Sequence, residues 1–215
     1  MRYFWHAIIA IVFVATIIFV FFIFSLGSGD HVTFTDSTTL ITTPTVTIAD
    51  PSVGAADAPV TIVSFGDYSC GTCADVENTL VDVIAKFPNQ IRLVWKDMPN
   101  TSVHPEALNA AIAARCAGKQ DAFFPYHSYL FANQASLGSE LYTSIAQSLK
   151  LNERTFNRCT EKQETLPLIE KSYDEGITLQ ITATPTIFIN NERFTGAVSA
   201  SEIEGAIRSA LAHTP

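Results

Sequence analysis

Apolar and polar residues alternate in several distinct ways along the chain, and each pattern predicts a different element. From Ala7 to Phe24 the side chains are Ala, Ile, Val and Phe, with Thr16 the only polar one. A run of that length predicts a helix able to span a bilayer core, which takes roughly 17–25 apolar residues. From Ser28 to about residue 49 the composition turns to Thr, Ser and Asp with isolated Val and Ile, which predicts a tether, with Thr45 to Ile48 as a short edge strand. Val60 to Phe65 and Ile91 to Trp95 are apolar at nearly every position and rich in β-branched residues, as in strands buried on both faces. Between them Val76, Leu80, Val83, Ile84 and Phe87 recur with helical spacing from about Gly71, and Pro88 sets a stop. Strand, helix, strand over so short a length predicts a parallel pair joined by a crossover.

No strand pattern occurs from about residue 103 to 178. Helical patterns run from Pro105 to Gly118, from Asp121 to about Asn133, from Ser139 to Leu149, from Asn152 to about Lys162 and from about Leu166 to Glu175, with Ser139 and Asn152 suited to N-cap positions. Strand character returns at Thr186 to Ile189, and Asn190-Asn191 turns the chain into Arg193 to Thr195 as a hairpin. Ser199 and Glu202 have capping-box spacing ahead of a helix carrying Ile203, Ile207 and Leu211. The order βαβ, helices, ββα predicts an α/β protein with a thioredoxin-like fold and an inserted helical domain at about residues 103–178, preceded by one N-terminal transmembrane helix. The implied organisation is an anchor over residues 1–27, a Thr/Ser-rich linker over 28–49 and a folded domain over 50–215.

Charge changes this picture little. The formal net charge of −8 and the scattered Lys and Arg exclude the basic stripe of a nucleic-acid surface. Arg2 is the only basic side chain of the Lys/Arg type before Lys86, so the positive-inside rule predicts a cell-membrane protein of single-pass topology, with a cytoplasmic N-terminus and an extracytoplasmic domain. A cleaved signal peptide is the competing reading, but its apolar region would be shorter, ~7–15 residues. An oxidising compartment would let the four cysteines form disulfides.

The chemistry concentrates in Ser69-Cys70-Gly71-Thr72-Cys73, between the first buried strand and its helix. A cysteine at a helix N-terminus faces unpaired backbone N–H groups and the positive dipole end, which favour thiolate. Cys70 is the expected nucleophile, or in the oxidised protein the sulfur that a substrate thiolate attacks, and Cys73, one turn on, the residue that resolves the mixed disulfide. A structural disulfide or half of a zinc site are the bland alternatives. Zinc needs two more ligands, and Cys116, Cys159, His104 and His127 lack metal-site spacing. Asp67, Tyr68, Asp97 and Lys96 are candidates for shaping the field around the dithiol. His104 reads as a cap, His127 as a packing residue, and Phe123, Phe124, Tyr126 and Tyr129 as core or the lining of a peptide groove. Asn100-Thr101-Ser102 matches a glycosylation sequon.

From about Asp50 onward the chain resembles the DsbA-like thiol:disulfide oxidoreductases, in their membrane-tethered, BdbD-like branch. The matching phrases are Ala58-Pro59-Val60-Thr61-Ile62-Val63, Phe65-Gly66-Asp67-Tyr68-Ser69-Cys70-Gly71-Thr72-Cys73, Val94-Trp95-Lys96-Asp97-Met98-Pro99, His104-Pro105, Arg115-Cys116-Ala117, Tyr126-His127 and Thr184-Pro185-Thr186. The resemblance implies a cis peptide before Pro185, with Thr184 presenting its backbone to an extended substrate. It also implies that Cys116 and Cys159 form a structural disulfide, against the alternative of two buried thiols. Two positions depart from the family. Ser64 stands six residues before Cys70, where an acidic residue is common, and the dipeptide Gly71-Thr72 lacks the histidine of the best-known oxidants.

The function implied is disulfide exchange with exported proteins through Cys70 and Cys73, with no cofactor besides that disulfide and no metal. Most simply the protein is an oxidant, reoxidised by a quinone-linked membrane partner similar to DsbB or vitamin K epoxide reductase. Two alternatives stay open: a reductase or isomerase of the same fold, and a tethered, non-enzymatic metal-handling protein that holds a soft ion such as Cu(I) on its CxxC.

Overall fold

The two apolar runs lie side by side as parallel strands in the structure, a computed structural model that describes residues 6, 14–22 and 42–213. They are β2 (Val60–Gly66) and β3 (Ile91–Asp97), in register from Val60 with Ile91 to Gly66 with Asp97. Helix α1 (Gly71–Ile84) makes the crossover. β4 (Thr186–Ile189) runs antiparallel to β2 and pairs with β5 (Glu192–Thr195), while β1 (Ser52–Val53) closes the other edge against β3. The strand order is β1-β3-β2-β4-β5. The edge strand thus falls at 52–53 and not at the expected 45–48, whose residues spend their hydrogen bonds elsewhere: the Thr45 N–H and hydroxyl both donate to Glu175.

Because side chains alternate across a strand, the sheet has two different faces. On one, Val60, Ile62 and Leu93 pack with Val76, Leu80 and Val83 of α1 and with Ile203 and Ile207 of α7 (Ala200–Ala212). On the other, Val63, Phe65, Val94, Met98 and Phe188 meet Leu179 and Ile181. Gly66 lets the large Trp95 ring lie against β2, since a Cβ there would stand 2.4 Å from the indole.

Between β3 and β4 the chain forms α2 (Ala107–Gly118), α3 (Phe123–Ala132), a short 3₁₀ turn at Gln134–Ser136, α4 (Ser139–Ser148), α5 (Glu153–Glu161) and α6 (Leu166–Thr178). Asn152 caps α5 by accepting from the Thr155 N–H at 2.9 Å. Ser139 is instead the first helical residue of α4, after Gly138. The Ser199 and Glu202 capping box is present. Alanines of α2 let α3, α5 and α6 approach closely, and the core they share extends to Tyr68 and Trp95 beside the CxxC turn.

The expected membrane placement is not upheld. Met1–Leu40 and Ile41–Pro215 form separate units, and no helix among the described residues is long and apolar enough to cross a membrane. Residues 14–22 are helical. The rest of the expected span, residues 7–13 and 23–24, and most of the expected linker, residues 28–41, lie outside the described residues. The end of that linker is fixed to the domain: the Ala49 carbonyl accepts from Arg115, and Asp50 pairs with buried Lys96.

Candidate active site

β2 ends at Gly66, the chain turns through Asp67-Tyr68-Ser69, and α1 begins at Gly71 with Cys70 as its N-cap. Asp67 sets that turn. Its buried carboxylate accepts from the Ser69 N–H at 2.7 Å and the Asn100 N–H at 3.0 Å, and it contacts His104 Nδ1 at 2.8 Å. The carboxylate has no proton to give, so Nδ1–H is the donor.

Cys70 and Cys73 are joined as a disulfide. The Cys70 sulfur accepts from the Cys73 N–H at 3.2 Å, which fills one of the unpaired donors of the first turn. It also lies 3.5 Å from the Thr184 carbonyl oxygen. The Thr184-Pro185 peptide is cis, and Pro185 opens directly into β4, whose partner β2 leads to the cysteines. Gly71 is exposed and Thr72 half-buried, so the dipeptide between the cysteines forms the open face of the turn, while Cys73 is buried beneath it.

One turn after Cys73 on α1, buried Glu77 belongs to a polar cluster, a role that sequence reasoning did not give it. The Ser64 hydroxyl donates to Glu77 Oε1 at 2.6 Å, Glu77 Oε2 lies 3.3 Å from His127 Nε2, and His127 Nδ1 lies 2.9 Å from the Tyr68 hydroxyl. Burial, reinforced by the negative charge of Asp97, holds the Tyr68 phenol well above its ordinary pKa, so the hydroxyl keeps its proton. The signal available in the sequence was a glutamate at a core position, between Val76 and Leu80 on the apolar stripe of α1. His127, read as packing, does meet Trp95, Phe131 and Tyr68 edge-to-face, but it also bonds through both ring nitrogens. Gln134 was missed as well. Its amide donates to the carbonyls of Tyr68 and Cys70 at 2.7 and 3.0 Å, tying the helical insertion to the CxxC turn.

The other candidates have partners of their own. Lys96 is buried on the opposite sheet face, 2.9 Å from Asp50 and 2.8 Å from Glu175, so its charge is spent there. Asp97 accepts from Trp95 Nε1 at 2.7 Å and Arg115 Nε at 2.6 Å. Cys116 and Cys159 form a second disulfide between α2 and α5, with Cα atoms 5.8 Å apart. Phe123 and Tyr126 lie in the helical core, Phe124 packs against it, and Tyr129 is exposed. Asn100, Thr101 and Ser102 are exposed. Among the described residues no group of three or more His, Cys, Asp or Glu side chains could hold a metal ion.

The family model described as Thioredoxin matches residues 45–209. Among solved structures, the thiol-disulfide exchange protein alpha-DsbA2 from Wolbachia pipientis superposes with a TM-score of 0.69 at 22% identity, covering 75% of this chain and 87% of its own. A thioredoxin-like oxidoreductase from Silicibacter pomeroyi gives 0.70 at 24%, covering 77% and 94%. Oxidised BdbD from Bacillus subtilis gives 0.67 at 26%, covering 76% and 94%. A curated relative, the Na(+)/H(+) antiporter NhaA 1 of Salinispora arenicola, is 34% identical over 161 residues, which is 75% of this chain and 24% of that protein. The chain thus spans about a quarter of the length of such relatives, and the transport in their name is a property of those proteins. The chain belongs to the thioredoxin family and has the DsbA-like thiol–disulfide oxidoreductase fold, with a CxxC pair at Cys70 and Cys73.

Proposed function

We propose that this member of the thioredoxin family exchanges its Cys70–Cys73 disulfide with the cysteines of protein substrates, working as an oxidant. The observation that carries the reading is the place of the Cys70 sulfur, at the N-terminus of α1, accepting the Cys73 N–H and facing the Thr184 carbonyl. A substrate thiolate attacks Cys70 Sγ, a new S–S bond forms, and the electron pair of the broken bond passes to Cys73. A second substrate thiolate then attacks the substrate sulfur of the mixed disulfide and releases Cys70 as a thiolate. The substrate has lost two electrons and the enzyme holds a dithiol. The N–H donor and the helix dipole lower the cost of the charge on Cys70. An electron acceptor must then restore the disulfide, and a quinone-linked partner has the required chemistry.

One observation favours the opposite direction. The dipeptide Gly71-Thr72 carries no charge to add to the helix end, so the thiolate is less favoured than beside a cationic residue, and a lower, more reducing potential follows. Equilibration of the protein with glutathione buffers, run beside the oxidative refolding of a reduced, multi-disulfide protein, separates the two. A potential above that of the glutathione couple with accelerated refolding supports the oxidant. A potential near that of thioredoxin, ~−270 mV, with no acceleration supports the reductase, and a pair that does not cycle rejects both.

A further inference from the structure

The loop between β3 and α2 does not spend its histidine on the helix that follows. His104 reads in the sequence as a cap, yet α2 begins at Ala107 with Glu106 as N-cap and no side-chain cap bond. The loop instead folds back, with the His104 N–H donating to the Asn100 carbonyl at 2.8 Å, and the ring reaches the turn before Cys70. Three hydrogen bonds join loop to turn. The Met98 N–H donates to the Gly66 carbonyl at 2.9 Å, the Asn100 N–H to Asp67 Oδ2 at 3.0 Å, and His104 Nδ1–H to the same oxygen at 2.8 Å. Asp67 carries the constraint onward: Oδ1 accepts the Ser69 N–H at 2.7 Å, and its main-chain carbonyl accepts the Cys70 N–H at 3.1 Å. The carboxylate is wholly buried and the ring partly exposed, and a buried carboxylate short of a donor is costly. Of the donors on Asp67, His104 alone is a side chain.

The other side of the same loop faces a cavity of about 360 Å³, where Met98, Pro99 and Asn100 stand with Tyr173, Ile177 and Thr184. The Thr184 carbonyl lies 3.5 Å from the Cys70 sulfur. One wall of the space beside that sulfur therefore belongs to the loop that His104 holds. We propose that His104 is a positioning residue for exchange: through Asp67 it fixes that wall relative to Cys70, so that a substrate segment lying against Thr184 brings its thiolate into line with the S–S bond. This rests on the exchange reading above. His104 gains and loses no proton or electron in the step. Its contribution is geometric, and a misplacement of about 1 Å between reacting groups is enough to cost on the order of a hundredfold in rate. The Cys70 sulfur keeps the Cys73 N–H and the end of α1 whatever residue stands at 104, so the effect is confined to substrates large enough to touch the wall.

The test compares two dithiols as reductants of the oxidised protein near neutral pH: dithiothreitol, and an extended peptide with two cysteines. In each case the probe is oxidised to its disulfide, Cys70–Cys73 is reduced, and the freed thiols are alkylated after an acid quench and counted by mass. His104→Ala should react with dithiothreitol within about twofold of wild type but with the peptide about tenfold more slowly. His104→Asn places an amide nitrogen where Nδ1 stands and should restore most of the peptide rate, while His104→Gln, one bond longer, should not. A role in stability alone would slow both reactions alike, and that result overturns the proposal. So does an unchanged peptide rate in His104→Ala, or a folded His104→Asn no faster than the alanine variant. If His104→Ala does not fold, the other two variants decide: a peptide rate higher in His104→Asn than in His104→Gln, with equal dithiothreitol rates, supports the proposal, and equal peptide rates overturn it. Wild-type protein that reacts with neither dithiol would instead reject the exchange reading itself.

Discussion

The two disulfides of the domain have opposite surroundings. Cys70–Cys73 closes a three-residue separation at a helix N-terminus, with a backbone N–H on one sulfur and an open turn above it. Cys116–Cys159 closes a separation of 43 residues between two helices, buried among Ile112, Phe156 and Ile169. A short loop with thiolate-stabilising donors makes a bond that is cheap to open. A long loop in an apolar interior makes one that restrains the unfolded chain and is screened from attack.

The comparison breaks most sharply under substitution. Cys70→Ser should abolish exchange in the glutathione and refolding assays while the fold persists by circular dichroism. Removing the other bond, with Cys116→Ala and Cys159→Ala together, should leave exchange in place and lower the stability. Loop-closure entropy for that separation puts the loss at about 4 kcal/mol, read as a lower denaturant midpoint. A double variant that folds with wild-type stability, or one that loses exchange while folded, would erase the distinction.

What links the two regions was the part least legible in the sequence. β2, β3, α1, the helical block and the hairpin follow from local periodicity and caps, and Cys70 and Cys73 from their place between a strand and a helix. The edge strand at 52–53 was misplaced because two residues carry no period, and its pairing is decided by β3. Glu77, His127 and Gln134 gained their roles from partners 13 to 66 residues away. A polar residue on an apolar stripe says that a partner exists but not which one. Lys96 shows the same limit from the other side: a candidate for shaping the field around the dithiol from its place near the end of β3, it points to the opposite sheet face and pairs with Asp50 and Glu175.

Gln134 sharpens the comparison at its seam, since it belongs to the helical insertion yet bonds to Cys70. In Gln134→Ala the Tyr68 carbonyl loses the donor that Gln134 supplies, while the Cys70 carbonyl keeps the N–H groups of Cys73 and Ala74. A stability loss of about 1–2 kcal/mol is expected. Amide hydrogen exchange at Cys73 and Ala74 should also speed up, while the helices joined by Cys116–Cys159 keep their protection. Unchanged exchange at the start of α1 would show that the insertion does not brace the dithiol turn.

The smallest effect concerns acid. Burial raises the pKa of Asp50, but the hydrogen bond and charge of Lys96, with the backbone and hydroxyl of Thr47, outweigh it and leave the carboxyl below its ordinary value of 3.8. A carboxyl depressed in the folded state stabilises above its unfolded pKa, and that contribution fades as pH falls through the folded value. Asp50→Asn should therefore melt below wild type near neutral pH, and the two curves should converge as pH drops below the ordinary carboxylate range. Because the ion pair lies on the sheet face away from α1, the substitution should leave disulfide exchange untouched. A gap in melting temperature that stays constant down to low pH would mean that the Asp50 charge contributes nothing to holding this segment, and that Lys96 is satisfied by Glu175 alone.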